Sequence, residues 1–276
     1  MKKSFKDILL YLLYFFSTFI VVSIISFILI YIFKNGFSSI NKEFIFGKPK
    51  GMPLGKEGGV FPAILGSLSL TFISLISASI LGISTAIYIS LYSKNKKINN
   101  FMHVVISSIS GVPSIVLGLF GYSFLVYFLD FKVSLLSGGI TLGIMIFPYI
   151  EVICEKAIEE VDKTMILSSY ALGIDKFHTF INIILPSAKD EIISAIMLSA
   201  GFAMGATAPI MLTSAVISAP NPNSLFSPVM ALPYHLYILI SQGISMEKAY
   251  GTAFILIFIL VVLNLFSLIF SKKKER

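Results

Sequence analysis

Long apolar runs without a charged residue, separated by short polar segments, dominate the chain. They cover residues 8–33, 61–93, 101–129, 133–150, 192–246 and 249–271. An α-helix of about 20 apolar residues crosses about 30 Å of hydrocarbon with every backbone amide paired internally. The runs lack the strict alternation of apolar and polar residues that a membrane barrel requires. The pattern therefore predicts an all-α integral membrane protein.

The number of spans follows from the lengths of the runs and from the positions of the lysines. Run 192–246 is too long for one helix, and Pro220 and Pro222 interrupt it, because proline cannot continue a helix. The remainder, 225–243, is predicted to be an external or re-entrant segment. Lysines precede the first run and follow the second and the last, which favours placing these ends in the cytoplasm. We expect six transmembrane helices, N-in and C-in, although lysines also occupy the external loop after the first span.

The predicted organisation has three parts. Residues 1–60 contain the first span and an external loop, 61–271 form the transmembrane domain, and 272–276 are a basic cytoplasmic tail. The first run is longer than the apolar core of a secretory signal, which has about 7–15 residues. We therefore interpret it as a retained span.

Composition narrows the classes of function. Hydrophobic residues make up 56% of the chain, too many for a soluble domain. The formal net charge is +7, but the basic residues lie at the ends of apolar runs and form no basic groove, so we expect membrane lipid and no nucleic acid as a partner. The sole cysteine, Cys154, excludes an intramolecular disulfide and a cysteine-cluster metal site, and we interpret it as a packing residue.

A polar, acid-rich segment separates the fourth and fifth runs. Asp162 is positioned to cap a helix over 163–172, Gly173 can end that helix in the left-handed conformation, and Asp175 can cap a second helix over 176–185, which Pro186 would end. One stripe of the second helix is apolar and must be buried against something; it consists of Phe177, Phe180, Ile181 and Ile184. The pattern indicates either a docking element for a soluble partner or a segment folded back on its own spans or on the lipid surface.

Five motifs resemble one known family. They read GGVFPAILGSL at 58–68, GVPSIVLGLFGY at 111–122, YALG at 170–173, LPSA at 185–188 and GATAPIMLT at 205–213. Together they are similar to the PstA-type permease subunit of the phosphate ABC importer, a binding-protein-dependent transport permease. The resemblance extends from Gly58 to the C-terminus.

The resemblance implies that 155–190, which we name the coupling segment, inserts a pair of short helices into a cleft of a separate ATPase. The residues it implies for this contact are Tyr170, Ala171, Leu172, Gly173, Phe177, Leu185 and Pro186. It also implies a PstC-like second permease, a PstB-like ATPase dimer and an extracytoplasmic PstS-like binding protein. The chain has no G-x-x-x-x-G-K-[ST] phosphate loop, so we expect no ATPase activity and no bound cofactor, with ATP used by the partner ATPase.

Two departures from the family pattern affect the coupling motif and the substrate path. Leu167 and Ser168 occupy positions where the family usually has Glu-Ala, and Phe202 and Ala206 replace an arginine and a glutamate of the pathway span. Run 192–246 contains no Lys, Arg, Asp or Glu, so an anion would meet only hydroxyl groups or free backbone amides there. The candidate pathway residues are Pro113, Ser114, Gly205, Thr207 and Pro209. Close helix packing is the alternative role of the small residues.

Two classes of function fit this sequence. The first is a permease subunit of an ATP-driven importer in a bacterial or archaeal cytoplasmic membrane, which moves phosphate, or a different oxyanion, by alternating access. The second is a non-conducting structural or regulatory subunit that retains the ATPase contact. A membrane enzyme or metal site is disfavoured, because the three histidines, His103, His178 and His235, lie in separate segments and show no ligand spacing.

Overall fold

The computed structural model describes the backbone of residues 5–271 and the side chains of 10–267. The helices are α1 (Phe5–Gly36), α2 (Lys42–Phe46), α3 (Phe61–Ile87), α4 (Lys96–Gly111), α5 (Ser114–Gly121), α6 (Leu135–Glu159), α7 (Lys163–Ala171), α8 (Lys176–Thr179), α9 (Leu185–Gly205), α10 (Ala208–Thr213), α11 (Leu232–Ser241) and α12 (Met246–Ser271). The π-helical turns Tyr88–Tyr92, Tyr122–Phe128 and Phe180–Ile184 extend α3, α5 and α8. The predicted basic tail, 272–276, lies outside the described residues.

Four of the described helices are long and apolar enough to cross a membrane. They are α1, α3 with its π-helical turn, α6 and α12. The predicted span over 101–129 is bent, since α4 and α5 meet at an angle of 100°. The bend lies at Val112 and Pro113, where extended backbone and a missing N–H interrupt the helical hydrogen bonds. Counting the bent pair as one crossing gives five.

The predicted fifth span also differs in its limits. Helix α9 begins at Leu185 and includes the charged residues 189–191, whereas the prediction began at 192. It ends at Gly205, and after the extended residue Ala206 the chain forms the short helix α10. The predicted break at 219–224 is confirmed as non-helical. Helix α11, within 225–243, has only ten residues and is too short to span a bilayer.

The centre of the fold is the pair α3 and α6. Small residues allow the two helices to pack closely, as membrane helices commonly do. A side chain at Gly139 or Gly143 of α6 would overlap Ile73 or Ser77 of α3. Cys154 is fully buried in the adjoining apolar cluster, which confirms its predicted packing role.

The two ends of α3 mark two sides of the molecule. Near its start lie a short hairpin of β1 (Pro49–Lys50) and β2 (Glu57–Gly58), the end of α1 and the start of α12. Lys248 of α12 donates to the Gly58 carbonyl there. At the other end, Lys176 of the coupling segment contacts Leu91. The coupling segment and the hairpin therefore lie at opposite ends of a helix about 48 Å long.

Candidate functional site

The first short helix of the coupling segment begins where the sequence predicts. The Asp162 carboxylate accepts hydrogen bonds from the Thr164 hydroxyl and the Thr164 N–H, both at 2.8 Å. These bonds hold the pKa of the Asp162 carboxyl below its usual value. The helix α7 that follows ends at Ala171, one residue before the predicted end. An aspartate cap therefore fixes the start of the helix.

The turn after α7 requires glycine. Gly173 has a φ of +77°, in the left-handed region where L side chains are strained. Its N–H donates to the Tyr170 carbonyl, and the Ile174 N–H donates to the Ser169 carbonyl, so the turn pairs the last carbonyls of the helix. A buried hydrogen bond of 2.9 Å between the hydroxyls of Ser169 and Thr179 then joins α7 to α8. The two short helices are held as one unit.

The second short helix begins as predicted but does not end as predicted. Asp175 accepts hydrogen bonds from the His178 N–H at 3.0 Å and its Nδ1 at 2.6 Å, which lower the pKa of the Asp175 carboxyl. The prediction of a separate helix over 176–185 ended by Pro186 is wrong. The π-helical turn after Thr179 changes the hydrogen-bond spacing, and Pro186 then lies in the first turn of α9, where its missing N–H is tolerated. The coupling segment is thus continuous with α9.

The predicted apolar stripe divides between an inner and an outer face. Ile184 is fully buried and Phe180 packs against the same core cluster. Phe177 is 60% exposed and Ile181 is also exposed, so this chain itself covers only part of the stripe. Leu172, at the turn, is 81% exposed. Further exposed apolar residues of the segment are Met165, Leu167, Tyr170 and Ile174.

The other residues predicted for the ATPase contact lie along this turn and at the helix junction. Ala171 is exposed beside Leu172, whereas Leu185 is half-buried and packs against the core. Pro186 is exposed. Residues 170–173 and Phe177 are thus all exposed, and we name them together the apolar patch. Leu185 belongs to the inner face.

The candidate pathway residues lie on two elements that pack together. Pro113 and Ser114 form the start of α5, and both are exposed. Thr207 precedes α10, and Pro209 is buried in its first turn. One turn into α5, a side chain added at Gly118 would come within 3.0 Å of the Ala208 carbonyl and 3.1 Å of Pro209 Cα. Backbone therefore meets backbone where α5 crosses α10.

The surroundings of the pathway span are apolar. Phe202 is 57% exposed, and its ring contacts the Tyr149 ring edge-on with centroids 4.9 Å apart. Both rings line an open cleft of about 450 Å³ between α6 and α9. Gly205 faces open space, since a side chain added there would meet no atom within 4 Å. Its role is therefore not close packing within this chain.

A family model matches more than half of the chain. The model describes the binding-protein-dependent transport system inner membrane component and matches residues 78–275. The chain belongs to this family. It is an ABC transporter permease subunit, and the matched region includes the coupling segment and both candidate pathway elements.

Curated relatives cover most of this permease. It is 27% identical over 250 residues to the probable ABC transporter permease protein YqgI of Bacillus subtilis, with 85% of this chain and 84% of that protein covered. It is 30% identical over 213 residues to the probable phosphate transport system permease protein PstA of Methanocaldococcus jannaschii, with coverage of 75% and 74%. A second PstA relative, PstA 2 of Mycobacterium bovis, is 30% identical over 212 residues, with coverage of 76% and 70%.

Solved structures support the fold of this permease. An inward-facing structure of the MetNI methionine ABC transporter superposes with a TM-score of 0.64, covering 76% of this chain and 93% of that chain at 14% identity. A bacterial ABC transporter involved in the import of the acidic polysaccharide alginate superposes with a TM-score of 0.55 at 13% identity, with coverage of 77% and 78%. At these identities the similarity concerns the fold alone.

The three histidines lie in separate parts of the fold, and the ring of His178 contacts the Phe177 ring of the apolar patch edge-on, with centroids 6.0 Å apart. His235 is buried and its Nδ1 lies 3.2 Å from the Thr252 hydroxyl, in agreement with a structural role. His103 lies 3.5 Å from Glu155, and His178 is exposed. Within residues 5–271 no group of three or more His, Cys, Asp or Glu is arranged to hold a metal ion.

Sequence reasoning missed one contact of the coupling segment. The Lys176 ammonium donates to the Leu91 carbonyl at 2.7 Å, across 85 positions of sequence. It also lies over the Tyr92 ring, 5.3 Å from the centroid. The available signal was a lysine in the first turn of a helix, where the helix dipole favours an acidic residue.

Proposed function

We propose that this permease is one of two transmembrane subunits of an ATP-driven importer of inorganic phosphate, and that it moves substrate by alternating access. Two relatives at 30% identity are described as PstA phosphate transport permeases. Phosphate is therefore the substrate class that the comparisons favour. The companions we propose are a second, PstC-like permease, a PstB-like ATPase dimer and an extracytoplasmic PstS-like binding protein.

The observation that carries the coupling role is the exposure of the apolar patch. Leu172 and Phe177 are 81% and 60% exposed, on a turn that aspartate caps and a buried hydroxyl pair make rigid. When a partner removes large apolar side chains from water, their burial stabilises the complex. A cleft on a soluble ATPase is such a partner, and the continuity of the segment with α9 would convert its displacement into movement of a span.

The topology we propose has six crossings with both termini in the cytoplasm. It counts α1, α3, the bent pair α4–α5, α6, α9 with α10, and α12. Supporting this count, the hairpin and the coupling segment lie at opposite ends of α3, and the start of α12 contacts the hairpin. The ATPase side is then cytoplasmic, and the binding protein meets the hairpin side. The protein resides in the cytoplasmic membrane of a bacterium or archaeon.

The pathway we propose passes the crossing of α5 and α10. This choice is supported by the close backbone approach of Gly118 to Ala208 and Pro209, and by the open space beside Gly205, three residues before α10. Phe202 and Ala206 contribute no charge, so we infer that the partner permease supplies any arginine that contacts the anion. Ser114 and Thr207 are the neutral donors of this chain, and Pro113 and Pro209 fix the helix starts beside them.

Co-purification of the ATPase tests the coupling role. Phe177→Asp places a charge in the contact, so we expect the retained ATPase to fall by about 30-fold or more, as for loss of an interface hot spot. The matched control is Lys163→Asp, a charge-changing substitution at an exposed position of the same segment. Equal retention of the ATPase by both variants and wild type would reject the proposed contact.

The apolar surroundings of Phe202 favour one alternative, a non-conducting subunit that retains the ATPase contact. Uptake of radioactive phosphate into proteoliposomes distinguishes the two. A conducting subunit predicts that substitutions at the α5–α10 crossing change uptake while the complex remains assembled. A non-conducting subunit predicts unchanged uptake in the same assembled complexes.

A further inference from the structure

The contact of Lys176 with α3 differs from every other link of the coupling segment. The coupling segment is continuous in sequence with α6 and α9, whereas α3 lies far from it in sequence. Within the described residues, the structure shows one hydrogen bond between 162–185 and α3 with its π-helical turn. It is the bond from Lys176 to Leu91. Without Lys176, this hydrogen bond and the cation–π contact of its ammonium with the Tyr92 ring are both lost.

The local preferences of the helix do not explain a lysine at this position. Lys176 is the first residue of α8, where the positive end of the helix dipole disfavours a cation. The end of α3, by contrast, favours a cation. Leu91 lies in the last turn of this long helix, whose free carbonyls attract a positive charge. The favourable interaction is therefore with α3, and the ring of Tyr92 adds a cation–π contact.

The opposite end of α3 is joined to the start of α11. The Ser67 hydroxyl accepts a hydrogen bond of 2.8 Å from the Leu232 N–H, and both residues are buried. A side chain at Gly66 would overlap the Met230 carbonyl, so the α3 backbone directly contacts the chain that leads into α11. One rigid helix thus connects the coupling segment with the side of the molecule that carries the hairpin.

We propose that Lys176 is a positioning residue that makes α3 move with the coupling segment. A displacement imposed on the segment then reaches Leu232 and α11 through α3, in addition to the movement of α9. This inference rests on the proposed function, since the ATPase supplies the displacement. It assigns a coupling role to a residue outside the apolar patch.

The test measures phosphate uptake per ATP hydrolysed in proteoliposomes containing the complete importer. Lys176→Met retains the length of the side chain but removes the donor, and we expect uptake per ATP to fall about 10-fold, the size expected for loss of a half-buried hydrogen bond from a charged donor. Lys176→Arg retains a donor and should restore uptake per ATP to within about 2-fold. Unchanged coupling in Lys176→Met would overturn the proposal.

The matched control is Lys163→Met. Lys163 is also the first residue of a short helix behind an aspartate cap, but it is exposed and its ammonium has no hydrogen bond or ion pair among the described contacts. We expect normal uptake per ATP from this variant. An equal loss in Lys163→Met and Lys176→Met would mean that any lysine of the segment has this effect, and would also overturn the proposal.

Two further measurements separate this inference from the proposed function. Lys176→Met should retain the ATPase on co-purification, whereas Phe177→Asp should lose it; loss in both assigns Lys176 to the ATPase contact and overturns the positioning role. Retention in both rejects the proposed ATPase contact instead. A double-mutant cycle with Ser67→Ala tests the route through α3. Non-additive losses of uptake per ATP support one route, and strictly additive losses contradict it.

Discussion

The coupling segment and the α5–α10 crossing use opposite means to perform their proposed roles. The segment is rigid inside and exposes Leu172 and Phe177, so its surface is incomplete without a partner. The crossing exposes little of its contact, and backbone approaches backbone at Gly118 and Ala208. The proposed docking surface thus rests on uncovered apolar area, whereas the proposed neutral pathway rests on packing alone.

The largest effect expected on phosphate uptake itself separates the two regions directly. Gly118→Ala brings a methyl group within 3.0 Å of the Ala208 carbonyl, so α5 and α10 must move apart. Overpacking of this kind costs about 1–3 kcal/mol, and we expect phosphate uptake to fall about 10-fold or more while the ATPase still co-purifies. The matched control is Gly111→Ala, where the added methyl group meets no atom within 4 Å. Similar uptake by both variants would contradict a pathway at the crossing.

A smaller effect is expected from restoring charge to the pathway span. Phe202→Arg with Ala206→Glu introduces opposite charges near the end of α9, one on the helix beside the Tyr149 ring and one on the extended residue that follows it. Intramembrane charges commonly lie on substrate paths, so we expect a several-fold change in phosphate uptake or in the choice between phosphate and sulfate. The neutral pair Phe202→Leu and Ala206→Ser is the control. Equal phosphate uptake and equal substrate choice in the two double variants would argue against a pathway role for these positions.

The backbone of the coupling segment provides a third test. Gly173 has a φ of +77°, so Gly173→Ala strains the turn by about 1–2 kcal/mol. We expect ATPase binding to weaken several-fold, with Gly173→Asn less affected because asparagine tolerates this conformation. Gly205→Ala is matched to it, since a side chain added at either glycine meets no atom within 4 Å but Gly205 has no left-handed backbone. If the two alanine variants bind the ATPase equally, the turn does not control the contact.

The smallest effect concerns the aspartate caps. Folding lowers the pKa of the Asp162 and Asp175 carboxyls through hydrogen bonds to Thr164 and to His178. Their ionised forms therefore stabilise the helix starts above the unfolded pKa of about 4, and this contribution is lost as the pH falls through the lowered folded values. Hydrogen exchange at 163–166 and 176–179, corrected for intrinsic rates, should accelerate in acid. In Asp175→Asn the second helix start should lose this pH dependence; an unchanged profile would contradict the assignment.

The limits and breaks of helices could be predicted from the sequence where a single residue determines them. Asp162 and Gly173 set the limits of α7 to within one residue, and Pro220 and Pro222 marked a true break. The effect of a proline depended on its surroundings. Pro113 accompanies a bend of 100°, whereas Pro186 lies inside a continuous helical path because a π-helical turn precedes it.

Contacts between distant parts of the chain were not predictable from pattern. The approach of Gly118 to Ala208 and the bond from Lys176 to Leu91 join residues about 90 positions apart, and neither leaves a periodic signal. The hairpin of β1 and β2 has only two residues in each strand, too few for an alternation to be seen. The family resemblance indicated which elements to propose as functional, and the packing that connects them required the structure.

The central claim is that the apolar patch contacts the ATPase, and cross-linking from the patch tests it most directly. A photoreactive amino acid at position 177 would be activated by light in membranes that contain the assembled importer. We expect an adduct with the ATPase subunit that a Leu172→Asp substitution abolishes. Adducts only with lipid or with this chain, in membranes where the ATPase is present, would contradict it.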